Sequence, residues 1–316
     1  MTRPVVLSFP GNDTMADAIA RSLGAERVAV HLRRFPDGET LASLDAAGAS
    51  GLAGRDVVLV ATLDRPDPKL VPVALIAGAA RDHGARRVVL VAPYLAYLRQ
   101  DAVFAPGQGV SARHFARLVA AAADALVVVD PHLHRLDSLD DVFGIPSRVV
   151  QSAPALARWV AAHVERPVLV GPDEESAQWV SEVAHRAGCP HVVLRKIRRG
   201  DRDVEVSAPG LDPADGRTPV IVDDIASTGH TIAQAVRGLV RAGHPAPLCV
   251  AVHGVFADDA LAVLRTAGVA RVVTTNTIPH PTNAIDVSGL VAEGAAELLA
   301  APLADRPPAA EDRATA

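Results

Sequence analysis

The sequence predicts an α/β protein of two similar domains, each a mostly parallel sheet flanked by helices. Its 316 residues exceed what one ordinary core encloses, which favours about two domains of roughly 150 residues. Short β-branched runs alternate with longer amphipathic segments, the pattern of parallel strands joined by crossover helices. Gly54-Arg55 opens a strand, a loop, a long helix and a strand ending near Tyr97, and Gly216-Arg217 opens the same series again in the second half. The halves differ where it matters chemically: after its first strand the early copy reads Ala61-Thr62-Leu63-Asp64-Arg65, whereas the later copy carries an acid pair and a hydroxyl-rich loop.

Taken in order, strands are expected at Val5–Phe9, Val28–Leu32, Asp56–Ala61, Arg87–Ala92 and Leu126–Val129, then at Val168–Gly171, His191–Leu194, Val220–Val222, Leu248–His253 and Arg271–Thr274. Apolar residues at three- and four-residue spacing predict helices over Asp13–Leu23, Pro68–His83, Ser111–Ala123, Ala153–His163, Glu174–Ala187, Thr231–Ala242 and Asp258–Ala267, several ending at Gly. Gly144, Pro146 and Ser152 cluster between the series, so the expected domains are 1–146 and 147–301. From 302 onward the periodicity gives way to Pro and charge, and residues 302–316 are expected to form a disordered tail.

Composition narrows the function. Hydrophobic residues at 49% and charged residues at 21% support packed cores. A net charge of −5 with scattered Lys and Arg offers no basic face for nucleic acid. No run approaches a membrane span and the N-terminal segment lacks signal-peptide architecture, so no membrane partner and a cytoplasmic location are expected. Cys189 and Cys249 have no metal-ligand spacing and read as buried thiols of a reducing compartment.

The most informative segment is Val222-Asp223-Asp224-Ile225-Ala226-Ser227-Thr228-Gly229-His230-Thr231. A loop between a parallel strand and a helix N-terminus presents unpaired N–H groups to an anion. Gly229 permits close backbone approach, and Ser227, Thr228 and Thr231 can donate hydroxyls to phosphate oxygens. Asp223 and Asp224 would repel phosphate; they suit two adjacent ribose hydroxyls or a cation. A helix cap needs only one such residue, so the segment exceeds what capping explains.

Other segments carry chemistry of their own. Phe35-Pro36-Asp37-Gly38-Glu39 offers an aromatic face for stacking on adenine and carboxylates for its amine, although PDG alone reads as a turn. Arg99 and Gln100, in Tyr97-Leu98-Arg99-Gln100-Asp101, stand at a strand C-terminal edge, where an Arg fork fits phosphate. Asp130-Pro131-His132 and Gly171-Pro172-Asp173 each follow an apolar strand and emerge at the same edge of their sheets. Lys196 and Arg198 lie two apart after HVVL, on one side of a continuing strand; taken alone, RKIRRGDRD reads equally as a solvated basic edge. Arg113 and His114 could border an anion or simply face solvent from a helix.

Together with Pro93-Tyr94 and Thr275-Asn276-Thr277-Ile278-Pro279, these segments resemble the ribose-phosphate diphosphokinase family over about Val5 to Ala295. The signature loop itself is similar to that of the type I phosphoribosyltransferase fold, so two phosphoribosyltransferase-like domains are implied. The implied reaction moves the β,γ-diphosphoryl group of ATP onto the 1-hydroxyl of ribose 5-phosphate with Mg²⁺. It gives phosphoribosyl pyrophosphate and AMP. In that resemblance Phe35, Asp37, Glu39, Arg99, Gln100, Asp101 and His132 bind ATP, the first three reaching a neighbouring subunit's nucleotide, which implies a homo-oligomer, a dimer or an assembly of dimers. Asp173, Asp223, Asp224, Ser227, Thr228, Gly229, His230 and Thr231 bind ribose 5-phosphate. His132 and Asp173 hold metal, Lys196 and Arg198 act in catalysis, and 200–203 forms a flap over ATP. Ser227, His230, Ala102 and Glu174-Glu175 depart from the family's usual residues. Two rivals remain at this point: a phosphoribosyltransferase, and a non-catalytic paralogue of the synthetase.

Overall fold

The computed structural model of the chain describes residues 3–133, 138–198, 204–207 and 210–302; at 195–198 and 204–207 only the backbone is described. The expected flap at 200–203 lies outside the described residues, as do all but the first residue of the expected tail at 302–316, and His134 and Arg135. Two compact units emerge, one from Met1–Val128, Leu133–Val149 and Val291–Ala316, the other from Val129–His132 and Val150–Leu290. The chain thus lends four residues to the second unit, enters it again at Val150 and returns to the first at Val291, whereas the sequence suggested a single division at 146/147.

The first series runs β1 (Val5–Ser8), α1 (Asp13–Leu23), β2 (Glu26–Val28), β3 (Val30–Arg34), β4 (Thr40–Leu44), α2 (Ala46–Ala49), β5 (Asp56–Val60), α3 (Asp67–Asp82), β6 (Arg87–Ala92), α4 (Ser111–Ala122), β7 (Ala125–Val129), α5 (Leu139–Phe143) and β8 (Ser147–Val150). After α6 (Ala153–His163) the second comprises β9 (Pro167–Gly171), α7 (Ala177–Ala187), β10 (His191–Val193), β11 (Arg195–Arg198), β12 (Val204–Ser207), β13 (Thr218–Ala226), α8 (His230–Arg241), β14 (Leu248–Gly254), α9 (Ala260–Ala267), β15 (Arg271–Thr275) and β16 (Asn283–Ile285), and α10 (Ser288–Ala300) closes the chain. Sheet orders are β2-β1-β5-β6-β7-β8 and β10-β9-β13-β14-β15-β16. The two plans match strand for strand, each with a two-stranded antiparallel hairpin, β3–β4 or β11–β12, inserted between its second and third sheet strands.

Burial on both faces explains why the central strands are continuous apolar runs. Every residue of β5 (DVVLV), β6 (RVVLVA) and β7 (ALVVV) is buried. Register aligns Leu7, Leu59, Leu90 and Leu126 in a row across four parallel strands, packed in one core with Ile76 of α3 and Phe115 of α4. Each such Leu contributes about 1.5–3 kcal/mol through burial. In the second unit Val170, Ile221 and Cys249 form the corresponding row over Ile232, Val236 and Leu239 of α8. Cys249 is therefore a core thiol, pushed up by burial, while Cys189 is only partly buried.

Three expectations change. Val28–Leu32 is not one strand: Val28 is buried in β2, but the following HLRR turns outward and pairs with β4, because charged residues cannot follow the sheet inward. The strand expected to stop at Val222 continues to Ala226 by keeping its ladder with β14. Lys196 and Arg198 do not prolong β10 but lie on a separate strand, opposite Val206 and Val204 of β12. Among the described residues no helix is long and apolar enough to cross a membrane.

A buried ion group fastens the last helix to the first unit. Asp56 accepts from Arg86 and Arg87, and Arg87 also donates to the carbonyls of Leu298, Leu299 and Ala301 at the end of α10. Arg87 thus satisfies carbonyls that a helix terminus leaves open.

Candidate functional site

Asp223 and Asp224 sit inside β13, not beyond it, since Asp223, Ile225 and Ala226 still pair with Ala251, His253 and Gly254 of β14. Burial pushes the Asp223 carboxyl well above the usual range, and its acidic neighbours Asp224 and Asp173 add to that. For Asp224 burial acts in the same direction, but the hydrogen bond and charge of His132 override it and hold this carboxyl below the usual range. The bond joins His132 Nδ1 to Asp224 Oδ2 at 2.9 Å. Asp224 N–H donates to Asp223 Oδ1 at 3.0 Å, so the pair is locked to itself as well.

Beyond the acids the chain reaches Gly229, which begins α8 with φ +75°. A Cβ there would stand 3.2 Å from Leu264 Cγ and 3.3 Å from the Ala260 carbonyl oxygen of α9. The sequence suggested that this glycine lets backbone approach a ligand; the close neighbour is α9. The N-cap position of α8 is Gly229, and among the described residues no side-chain cap bond is made there. A helix N-terminus of that kind leaves its first amides to water or an anion. Ser227 and Thr231 are partly exposed, and Thr228 and His230 are exposed. Behind the loop, Phe256 N–H donates to the Ala226 carbonyl at 2.9 Å and Ala257 N–H to the Ser227 carbonyl at 3.2 Å. Phe256 and Asp258 hold positive φ values of 41° and 53°, backbone strain of order 1 kcal/mol or more for such residues.

His132 reaches Asp224 because Val129–His132 belongs to this unit. Asp130 has φ +33° and accepts from Ser152 N–H at 2.9 Å and from the Ser152 hydroxyl. Its carboxyl is pushed up to about 6, chiefly by burial, with Ser152 opposing and Asp224 adding. Asp173 follows β9, whose last residue, Gly171, has no room for a side chain: a Cβ would meet Ser176 Oγ at 2.5 Å. That hydroxyl instead donates to the Asp173 carbonyl at 2.6 Å.

Sequence reasoning missed His253, the buried residue near the end of β14. Its Nε2 lies 3.1 Å from the Val129 carbonyl and 3.3 Å from that of Asp130, and its Nδ1 lies 2.9 Å from the Thr277 hydroxyl. The signal available was position: a histidine at the C-terminal edge of a parallel strand, where ligands bind.

The remaining candidates belong to the first unit. Phe35, Asp37 and Glu39 form the β3–β4 turn, where Asp37 accepts from Glu39 N–H at 3.1 Å and Arg33 lies over the Phe35 ring. The PDG segment is thus a hairpin turn, with both carboxylate residues exposed. Arg99 and Gln100 are exposed on the loop after β6 and Asp101 is buried; the loop's Tyr97, at φ +67°, donates to Asp67 at 2.5 Å. Arg113 and His114 are exposed on α4. The side chains of Lys196 and Arg198 lie outside the described residues.

Among the described residues no three His, Cys, Asp or Glu side chains gather as a cation cage. Mg²⁺ usually takes one or two protein ligands and completes its shell with water and substrate phosphates. The acid-on-acid crowding at Asp223 is the kind of charge that such a cation, or ribose hydroxyls, would relieve.

Comparison with known proteins bears on the family. Residues 5–123 match the N-terminal domain of ribose phosphate pyrophosphokinase, and residues 147–289 match the phosphoribosyl transferase domain. The chain is 34% identical to the ribose-phosphate pyrophosphokinase of Methanopyrus kandleri over 93% of its length and 99% of the relative's. It is 33% identical to that of Halobacterium salinarum, over 92% and 99%. The crystal structure of phosphoribosylpyrophosphate synthetase from Mycobacterium smegmatis superposes with a TM-score of 0.80 at 25% identity, covering 94% of this chain and 99% of that one. An acid pair in a strand, an uncapped helix behind it and full-length kinship lead to one assignment: the chain belongs to the ribose-phosphate pyrophosphokinase family.

Proposed function

We propose that the second unit grips ribose 5-phosphate while the family's reaction moves the β,γ-diphosphoryl group of ATP onto its 1-hydroxyl, releasing AMP. The observation that carries the reading is the His132–Asp224 hydrogen bond, which ties the residue expected to attend ATP to the residue expected to hold the sugar. Asp223 and Asp224 accept from the ribose hydroxyls; the amides of the first turn of α8 and the hydroxyls of Ser227, Thr228 and Thr231 hold the 5-phosphate, with Gly229 and His230 shaping the loop. His132 and Asp173 would hold Mg²⁺, which when bound neutralises phosphate charge and polarises the phosphorus under attack.

The N-terminal unit supplies Arg99, Gln100 and Asp101 on the ATP side. Phe35, Asp37 and Glu39, at the tip of a hairpin outside the sheet, reach the nucleotide of a neighbouring copy, so the working protein is a dimer or an assembly of dimers in the cytoplasm. Lys196 and Arg198 lie on the β11–β12 hairpin and act in catalysis by clasping the transferring group, with contacts that tighten as charge builds up. Proximity of the 1-hydroxyl to the β-phosphorus supplies much of the acceleration without a side-chain base.

The match of residues 5–123 to the pyrophosphokinase N-terminal domain weighs against a simple transferase. Purified protein given ATP, Mg²⁺ and ribose 5-phosphate should form AMP and phosphoribosyl pyrophosphate in equal amounts. Turnover that requires a nucleobase would indicate a transferase, and no turnover a regulatory paralogue.

A further inference from the structure

We infer that His253 is a positioning residue for His132, fixing the Val129–His132 segment so that the His132 imidazole meets Asp224. The inference rests on the reading of His132 as a residue that attends Mg·ATP.

Its basis is geometric. His253 is buried and its Nε2 faces two carbonyl oxygens, those of Val129 and Asp130, at 3.1 and 3.3 Å. Carbonyls only accept, so Nε2 carries the proton and donates to both. Nδ1 is then the acceptor, and it receives the Thr277 hydroxyl at 2.9 Å. Thr275 and Thr277 hydroxyls in turn lie 2.7 and 3.2 Å from the Val252 carbonyl, next in chain to His253. The ring is held from both sides in one tautomer and one orientation.

What it holds is a segment in need of fixing. Asp130 is a non-glycine residue at φ +33°, a conformation that surrounding contacts must impose. Three contacts impose it: Asp130 N–H donates to the Val150 carbonyl at 3.0 Å, Ser152 binds the Asp130 carboxylate, and His253 binds the carbonyls that flank the Asp130 Cα. Two residues later stands His132, bonded to Asp224. The same end of β14 supplies, through Phe256 and Ala257, the amides that hold the Ala226 and Ser227 carbonyls. One strand end therefore braces both the segment that carries His132 and the loop after Ala226, and the Nε2 hydrogen bonds of His253 run to the first.

Variants separate the parts. Asn at 253 places an amide near the old Nδ1 and keeps the Thr277 contact but cannot reach the carbonyls; Gln places a donor near the old Nε2. Calorimetric titration of Mg·ATP into the protein without ribose 5-phosphate reads affinity with no turnover. The expected result is about tenfold weaker binding in His253→Asn, recovery of most of it in His253→Gln, and a comparable loss in His132→Ala. Because His253 acts through His132, adding His253→Asn to His132→Ala should cause no further loss. Thermal unfolding of each variant is measured alongside, and if His253→Asn does not fold, Thr277→Val, which unties the ring without removing it, should give a smaller loss that also vanishes in the His132→Ala background. Wild-type affinity in His253→Asn, or losses that multiply in the double variant, overturn the inference. A His132→Ala protein that binds Mg·ATP normally removes the underlying reading of His132, and the inference with it.

Discussion

Replacing Gly229 by Ala tests the phosphate loop where its geometry is most constrained. The residue has φ +75°, which costs an L-residue about 1–2 kcal/mol. The new methyl would also sit 3.2 Å from Leu264 Cγ and 3.3 Å from the Ala260 carbonyl oxygen. Leu264 is fully buried and the Ala260 oxygen is helix backbone, so neither gives way freely; the loop itself must shift by a few tenths of an ångström. The combined loss of stability should be about 2 kcal/mol, read from the midpoint of urea unfolding at constant slope. Because the displaced atoms are the amides that open α8, affinity for ribose 5-phosphate should fall about tenfold in calorimetry, with Mg·ATP affinity nearly unchanged. Lost stability with intact sugar-phosphate affinity would show that this loop does not hold the phosphate. Unchanged stability would refute the argument from positive φ and contact with α9.

Replacing Asp223 and Asp224 together by Asn should abolish measurable ribose 5-phosphate binding while the protein still folds; retained affinity would place the sugar elsewhere. Lys196→Ala should lower kcat by about two to four orders of magnitude with a modest change in KM, since a contact made mainly in the transition state is lost; an unaltered kcat removes that residue from the mechanism. Arg87→Met should destabilise the protein by about 3 kcal/mol, because it opens the buried group at Asp56 and frees the carbonyls ending α10. Burial opposes ionisation of Asp56, yet its two Arg partners hold the carboxyl below its ordinary value of 3.8, so its contribution is present above that pH and disappears as pH falls through the lower folded value; acid titration of stability should show a shallower decline in the variant.

Much of this was legible from residue order. Helices Asp13–Leu23 and Ala153–His163 end where their apolar spacing ends, because burial of one face is a local pattern. The acid pair and the loop could be read because their residue types conflict with a bare strand-to-helix turn. What escaped were facts of distance along the chain. The His253 imidazole finds carbonyls more than a hundred positions earlier, and Asp130 finds Ser152 beyond α5 and β8. No periodicity encodes such pairs. Gly229 was legible as a special position, but the approach of α9 to it was not, since that contact is tertiary. The Val28–Leu32 run was misjudged because β-branched and apolar content marks extended chain without saying whether it joins the sheet or pairs with its own return strand.

The two topologically matched units differ in how each fills the space after its third sheet strand, which bears on why the proposed sugar-phosphate site lies in the second. There that strand leads into a helix whose N-cap is Gly229, and among the described residues the ionisable groups that act on its acids are other acids and histidines. In the proposed reading the loop's polar groups take an outside partner. In the first unit the same place is satisfied from within: Asn12 Oδ1 accepts from Thr62 N–H at 3.1 Å, and Lys69 donates to the Thr62 carbonyl at 3.1 Å and pairs with Asp64. Asp67 already lies in the first turn of α3, where an anion would otherwise sit, and Pro68 removes an amide. A phosphate entering there would have to displace a carboxylate and break an ion pair, whereas at α8 it meets open donors. The same topology therefore gives a self-closed loop in one unit and a receptive one in the other, and the difference lies in which side chains already occupy the helix N-terminus.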